Sequence, residues 1–308
     1  MAVGSLVALG LLAVQALRAN PRLSPEQIEA TLVEAQRLMQ ERALFGTSVD
    51  WPGVLMRARQ TAARTHRAAD LDEALQGMVW AIREHDAHSF YLPAAQARRM
   101  QSGTAPGEQV LLQRGADLGQ FQVLQMPGYM GMDEAVWKRD AAAGASRLTE
   151  LLRARPCGLV LDLRQNSGGN MYPMFLALAA LLPPRDVGYF EDRARQRMPF
   201  PLPPRQAAAA DVAVAVLIGP STASSGEFLA IGLRSLPRVR SFGAPTAGLA
   251  TGVQPMPLPN GGLLGVTEVR ALDFEGRAVG RRVLPDQVGS DPLVDARNWL
   301  NDQCRPRP

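Results

Sequence analysis

Lysine is almost absent from this chain. Its 308 residues include a single one, Lys138, and only three histidines, His66, His85 and His88. Two cysteines, Cys157 and Cys304, complete a short stock of side chains that could hold a metal or act as a base. Two cysteines cannot by themselves form a disulfide framework or a zinc site, and neither C-x-x-C nor H-E-x-x-H occurs. His85 and His88 stand three apart, but the neighbourhood adds only acids, so no metal and no cofactor is read. Runs of five or six basic residues are missing, as are basic stretches interleaved with aromatics. The net charge of +4 is arginine spread over a solvated surface, and nucleic acid is excluded as a partner. No repeat of fixed period is found. What is present, 46% hydrophobic and 20% charged residues, is the composition of a soluble globular chain.

Charge is also missing from the first 17 residues, up to Arg18. That length suits the apolar region of a signal peptide better than a membrane span, with Ala16 or Ala19 as a cleavage point. Residues 1–20 are therefore expected to be a signal peptide or an N-terminal anchor, and the protein to be exported, periplasmic or envelope-associated. Membrane association is expected only through residues 1–17, and no oligomeric state follows.

Ser24-Pro25-Glu26 reads as a helix start, with apolar residues at Ile28, Leu32, Ala35, Leu38 and Met39 carrying the helix to about Ala43. Asp50-Trp51-Pro52 opens a second helix. Asp70-Leu71-Asp72 opens a third, running to about Arg83 with a stripe of Leu75, Met78 and Ile82. Residues 21–100 are expected to be a helical domain that ends in Asp86-Ala87-His88-Ser89-Phe90-Tyr91. From 101 to 308 the pattern becomes an α/β core. Strands are expected at Val110–Leu112, Phe121–Leu124, Gly158–Arg164 and Val212–Ile218. Helices are expected from Met132 to about Arg155, through Met174 to Leu182, and from Ser225 to Leu236. Short strands alternate with turns over 238–290.

Two strand-to-helix turns carry the candidate chemistry. Gly168-Gly169 leaves backbone N–H groups unobstructed ahead of a helix start, a pocket for an anion or a developing oxyanion. The same pattern also serves as a tight packing corner. With no G-x-G-x-x-G and no G-K-[ST], dinucleotide and triphosphate binding are excluded. The second turn presents Ser224 at a helix start. An isolated serine there is ordinarily an N-cap, but Ser221 and Thr222 offer other caps. The backbone N–H of Ser225 next to it, opposite Gly168 or Gly169, makes a two-donor oxyanion hole. A serine nucleophile needs a base. Lys138 lies in a charged, surface-facing helical stretch, and His66 sits among Arg64, Arg67 and Asp70 on a solvated helix face. His88, at the end of the helical region beside Asp86 and Phe90-Tyr91, is the base by elimination.

Leu161-Asp162-Leu163-Arg164-Gln165-Asn166-Ser167-Gly168-Gly169 resembles the D-L-R-x-N-x-G-G signature of the C-terminal-processing and tricorn-core serine peptidases. Thr222-Ala223-Ser224-Ser225-Gly226-Glu227 resembles the nucleophile segment of that family. Asp86-Ala87-His88-Ser89 is similar to the D-G-H-[ST] of its tricorn-like branch, and Gly243–Gly248 and Val283–Asp286 match two further landmarks. The resemblance implies a crotonase/ClpP-like core of ββα units after a small helical domain. It also implies serine-type endopeptidase action through an acyl-enzyme on peptides or unfolded proteins. The C-terminal-processing branch places a lysine base where this chain has Leu249, whereas the tricorn-like branch uses a histidine, matching His88. Too few residues separate His88 from the helix at Met132 for a PDZ domain. The tricorn-like branch also has an orienting glutamate in E-G-x-G-V-x-P-D; its place falls near Val279, which leaves Glu275 as the candidate orienting acid. The alternatives are a catalytically inactive domain binding peptides or apolar ligands, and a crotonase-like acyl-CoA enzyme without support from the Ser224 and His88 segments.

Overall fold

The structure, a computed structural model, describes residues 20–83, 85–101, 110–202 and 212–305. The expected signal segment, residues 1–20, lies outside the described residues except for Asn20. The chain divides into two compact units, one of residues up to Met100 with Val253–Glu268, the other of Gln101–Gly252 with Val269–Pro308.

In the first unit, α1 (Pro25–Arg42) starts in a reciprocal capping box. The Gln27 amide donates to Ser24 Oγ at 3.2 Å, and Ser24 N–H donates to Gln27 Oε1 at 2.9 Å. Asp50 caps α2 (Trp51–Ala62) by accepting Gly53 N–H. Helix α3 (Ala68–Arg83) buries Leu71, Leu75, Met78, Val79 and Ile82. The strand β1 (Phe90–Leu92) and the helix α4 (Ala94–Gln101) follow. The apolar stripes of α1–α3 form one core with Tyr91, Met256, Leu264 and Val266. His66 departs from its expected helix face. It sits in the turn between α2 and α3 at φ +55°, because the chain must reverse there.

In the second unit the order is β2 (Gln113–Arg114), β3 (Gln122–Gln125), α5 (Glu134–Arg153), β4 (Gly158–Asp162), α6 (Met171–Ala177), β5 (Tyr189–Asp192) and β6 (Arg197–Pro199). After these come β7 (Ala213–Ile218), α7 (Ser225–Leu233), β8 (Val239–Gly243), β9 (Thr251–Pro257), β10 (Leu263–Leu272), β11 (Gln287–Val288) and α8 (Pro292–Gln303). The main sheet runs β11-β8-β7-β4-β3-β2 and is parallel except at β2. Every residue of β4 and β7 is buried, as a parallel sheet covered on both faces requires. One face packs on Leu148, Met174, Phe175 and Leu229 from α5, α6 and α7; the other packs on Ala296 and Leu300 of α8. β9 and β10 carry the chain between the units, β10 pairing with β1 at Phe90↔Gly265 in the first and with β5 at Leu272↔Tyr189 in the second.

Several expectations need correction. Val110–Leu112 is not a strand; Leu111 and Leu112 fill the core, and pairing begins at Gln113. α6 stops at Ala177 and continues to Leu182 as turns. The two cysteines, too few for a framework, form a single Cys157–Cys304 disulfide that joins the approach to β4 with the end of α8.

Candidate active site

Because β4 and β7 are parallel neighbours, the turns that leave them emerge side by side. At the end of β4, Asp162 holds Arg164 in a two-point pair, Nε to Oδ1 at 2.9 Å and Nη2 to Oδ2 at 2.7 Å. Asn166, fully buried, accepts Gly168 N–H at 3.0 Å through Oδ1 and Ala223 N–H at 2.9 Å through its carbonyl. It therefore ties the first turn to the second. Gly168 and Gly169 adopt φ +93° and +105°, where a side chain is strained. A Cβ on Gly168 would stand 2.7 Å from Ser224 Cβ, and one on Gly169 2.1 Å from the Tyr129 carbonyl oxygen. Glycine here is a requirement of close approach, not merely of turning.

After β7, Thr222 Oγ1 donates to the Leu163 carbonyl at 2.8 Å and anchors the second turn to the first. Ser224 then takes φ +52°, ψ −120°. Ser224 stands at the N-cap with Glu227 at N3, but ordinary N-caps are extended and its backbone is not. A non-glycine residue there is strained by about 1–3 kcal/mol, and strain of this kind clusters at functional sites. The strain is held by Glu227, whose fully buried carboxylate accepts from four donors. They are Ser224 N–H at 2.9 Å, Thr246 Oγ1 at 2.5 Å, Gly248 N–H at 3.0 Å and Leu249 N–H at 2.8 Å. Burial pushes the Glu227 carboxyl above its ordinary range, against the pull of those hydrogen bonds. Ser225 Oγ donates to the Gly169 carbonyl at 2.7 Å, locking the two turns together.

The second unit thus brings Gly168, Gly169, Ser224 and Ser225 together. Gly168 gives its N–H to Asn166, so it is not offered to a ligand as the sequence allowed. Gly169 and Ser225 N–H have no partner among the described residues. Thr246 accepts Val283 N–H at 2.9 Å, so the Gly243–Gly248 and Val283–Asp286 landmarks buttress Glu227. Leu249 contributes a backbone N–H and no amine. Lys138 pairs with Glu134 at 2.5 Å on the exposed face of α5. Glu275 lies on an exposed turn with its carboxylate against Arg277. No group of His, Cys, Asp and Glu with the makings of a metal site occurs among the described residues.

His88 belongs to the first unit, on the loop between α3 and β1. Buried Asp86 organises that loop: its Oδ1 accepts His88 N–H at 2.7 Å, Ser89 N–H at 3.0 Å and Thr267 Oγ1 at 2.7 Å. Ser89 Oγ donates to Asp86 Oδ2 at 2.7 Å and accepts Thr267 N–H at 3.0 Å. The half-buried imidazole therefore projects from a backbone pinned on two sides. Sequence reasoning missed the scaffolding roles of Asn166, Thr222 and Asp86, although each stands inside a motif it singled out.

The model of peptidase family S41 matches residues 122–288. Along nearly its whole length, 99%, the chain is 25% identical to the full "nisin-resistance protein" of Lactococcus lactis subsp. lactis. Among solved structures, a lipoprotein from Streptococcus agalactiae superposes with a TM-score of 0.77 at 24% identity, over 92% of this chain and 99% of the other. The photosystem II D1 C-terminal processing protease gives 0.62 at 17% identity, over 88% and 94%. The likeness to both is one of fold, and the core is the crotonase/ClpP-like α/β architecture.

Proposed function

The chain belongs to peptidase family S41, and from that premise we propose that it is a serine endopeptidase with Ser224 as nucleophile and His88 as base. The observation that carries the reading is the strained backbone of Ser224, held by Glu227 beside two N–H groups. Ser224 Oγ attacks the scissile carbonyl carbon as His88 takes its proton. The carbonyl oxygen gains the negative charge and is met by the N–H groups of Gly169 and Ser225. His88 returns the proton to the leaving amine as the C–N bond breaks, and water then hydrolyses the acyl-enzyme by the same route. The role of His88 is supported by its motif, by the pinned loop, and by the pairing of Lys138 and the replacement of the family lysine by Leu249. Glu275 is engaged by Arg277, and the positioning of His88 is assigned to Asp86 through the backbone.

Substrates are peptides or unfolded proteins, and the protein is exported or envelope-associated. The Cys157–Cys304 bond supports export, since disulfides persist in oxidising compartments. Relatives named as a lipoprotein and a nisin-resistance protein support it too. No helix among the described residues is long and apolar enough to cross a membrane. The test is labelling by a fluorophosphonate. Wild type labels; Ser224→Ala abolishes labelling and His88→Ala cuts it at least about a hundredfold, within the general-base range. Unlabelled but folded wild type would overturn the reading and favour an inactive peptide-binding domain.

A further inference from the structure

Three large apolar side chains of the second unit stand in solvent around one turn: Met130 at 54% exposure, Met132 at 49% and Tyr172 at 52%. Single exposed apolar residues are ordinary, but these are gathered by a specific set of bonds. The segment carrying the methionines lies as a parallel bridge along the glycine turn, Tyr129 opposite Gly169. Tyr129 N–H donates to Gly168 O at 3.0 Å, and Asn170 N–H donates to Tyr129 O at 2.6 Å. Tyr129 points inward, its hydroxyl on buried Asp140 at 2.8 Å, and Met130, next along, is exposed.

Asn170 fastens the two apolar segments together. Its Nδ2 donates to the Gly131 carbonyl, between the methionines, at 3.0 Å, while its Oδ1 accepts Tyr172 N–H at 3.1 Å. Tyr172 is held further by stacking on Trp137, with ring centroids 6.2 Å apart. Met130 comes close to the oxyanion turn: its Sδ lies 2.9 Å from where a Cβ on Gly169 would be. The apolar surface therefore reaches the backbone of Gly169. Its thioethers are flexible and polarizable, suited to varied large apolar and aromatic groups.

Resting on the peptidase reading, we propose that Met130, Met132 and Tyr172 form a ledge that receives a large apolar side chain of the substrate next to the scissile bond. The ledge sets a preference for apolar peptides. The test uses peptidyl phosphonate esters that phosphonylate the serine and carry either a phenylalanine or an asparagine side chain next to phosphorus. In wild type the phenylalanine ester reacts at least about tenfold faster, the discrimination a hydrophobic pocket supplies. That ratio falls toward unity in Met130→Ser/Met132→Ser/Tyr172→Ser and is kept in Met130→Leu/Met132→Leu/Tyr172→Phe, which also guards against a folding defect. A ratio near one in wild type, or one unchanged in the serine variant, would overturn the ledge. A small fluorophosphonate separates the two failures. If it labels wild type, only the ledge is lost; if it does not, the peptidase reading falls and the ledge with it.

Discussion

Reducing the Cys157–Cys304 bond should weaken the second unit considerably. The bond spans a sequence separation of 147 residues. In the chain-entropy model, releasing a loop of that length returns about 17 cal/mol/K to the unfolded chain, or about 5 kcal/mol at 25 °C. The native side offers little to offset this. Cys304 ends α8, whose Ala296, Trp299 and Leu300 pack on Val160, Ala215 and Phe242, so the helix keeps its apolar face when the bond is cut. The effect therefore lies mainly in the unfolded state. A cooperative unit of roughly 200 residues has an unfolding entropy of about 0.4 kcal/mol/K, which converts the loss to a fall in midpoint of about 12 °C. The assay is thermal unfolding followed by circular dichroism, with and without reductant, on wild type and on Cys157→Ser/Cys304→Ser. Reduced wild type and the double variant should melt together, well below the oxidised protein, and the double variant should not respond to reductant. A shift of under about 2 °C would refute the entropic argument. Two titratable thiols in protein unfolded without reductant would refute the pairing itself.

Two further outcomes follow from buried carboxylates. Glu191, almost fully buried, accepts from Arg195, Arg197 and Arg270, and the Arg270 bond leads in holding its carboxyl down at about 2. A depressed folded value means stability that is present above 4.5 and lost as pH falls toward about 2. Thermal midpoints of wild type and Glu191→Gln should therefore converge over that interval, and a constant gap would contradict the assignment. Glu227→Gln leaves only one accepting oxygen, so two of the four donors that now face the carboxylate would meet an amide NH2. Each unmatched buried donor costs about 1–3 kcal/mol; the variant should unfold at lower urea and label with fluorophosphonate at least about tenfold more slowly, and a wild-type labelling rate would show that Glu227 does not hold the Ser224 turn.

Much of this fold could be read from local chemistry. Ser24-Pro25 and Asp50-Trp51-Pro52 begin helices where capping physics places them, and Leu75, Met78 and Ile82 face inward as their spacing requires. The apolar runs in β4 and β7 marked buried strands of an α/β core. What escaped depended on distant partners. Glu191 is a charge inside a strand, tolerable because Arg270 arrives from β10 and Arg197 from β6. Leu111 and Leu112 look like strand residues but serve the core from a bend. The helix α8 carried a signal that was passed over: Asp291 accepts Val294 N–H and Pro292 fills the first turn, the same arrangement as at α2. For the site, the glycines and Ser224 were legible because their residue types are restrictive. Asn166 was not, since its work is done by a carbonyl and a side-chain oxygen bonded to Ala223 and Gly168.

The order of the motifs along the chain has a physical basis in this network. A serine turn at φ +52° relaxes unless its neighbours forbid it. Here the restraint passes from Val283 N–H to Thr246 Oγ1, from Thr246 to Glu227, and from Glu227 to Ser224 N–H. A second line runs from Thr222 to Leu163, and a third from Ser225 to Gly169. Four sequence segments that look independent are thus one hydrogen-bonded assembly around the serine, and each supplies a donor or acceptor that another needs. Losing one segment would leave a buried polar group of its partner unmatched as well as freeing the turn. That is why several weak motifs in fixed order were far more informative together than any of them alone, and why the Asp86–His88 loop, stabilised within its own unit by Thr267, had to be recognised separately.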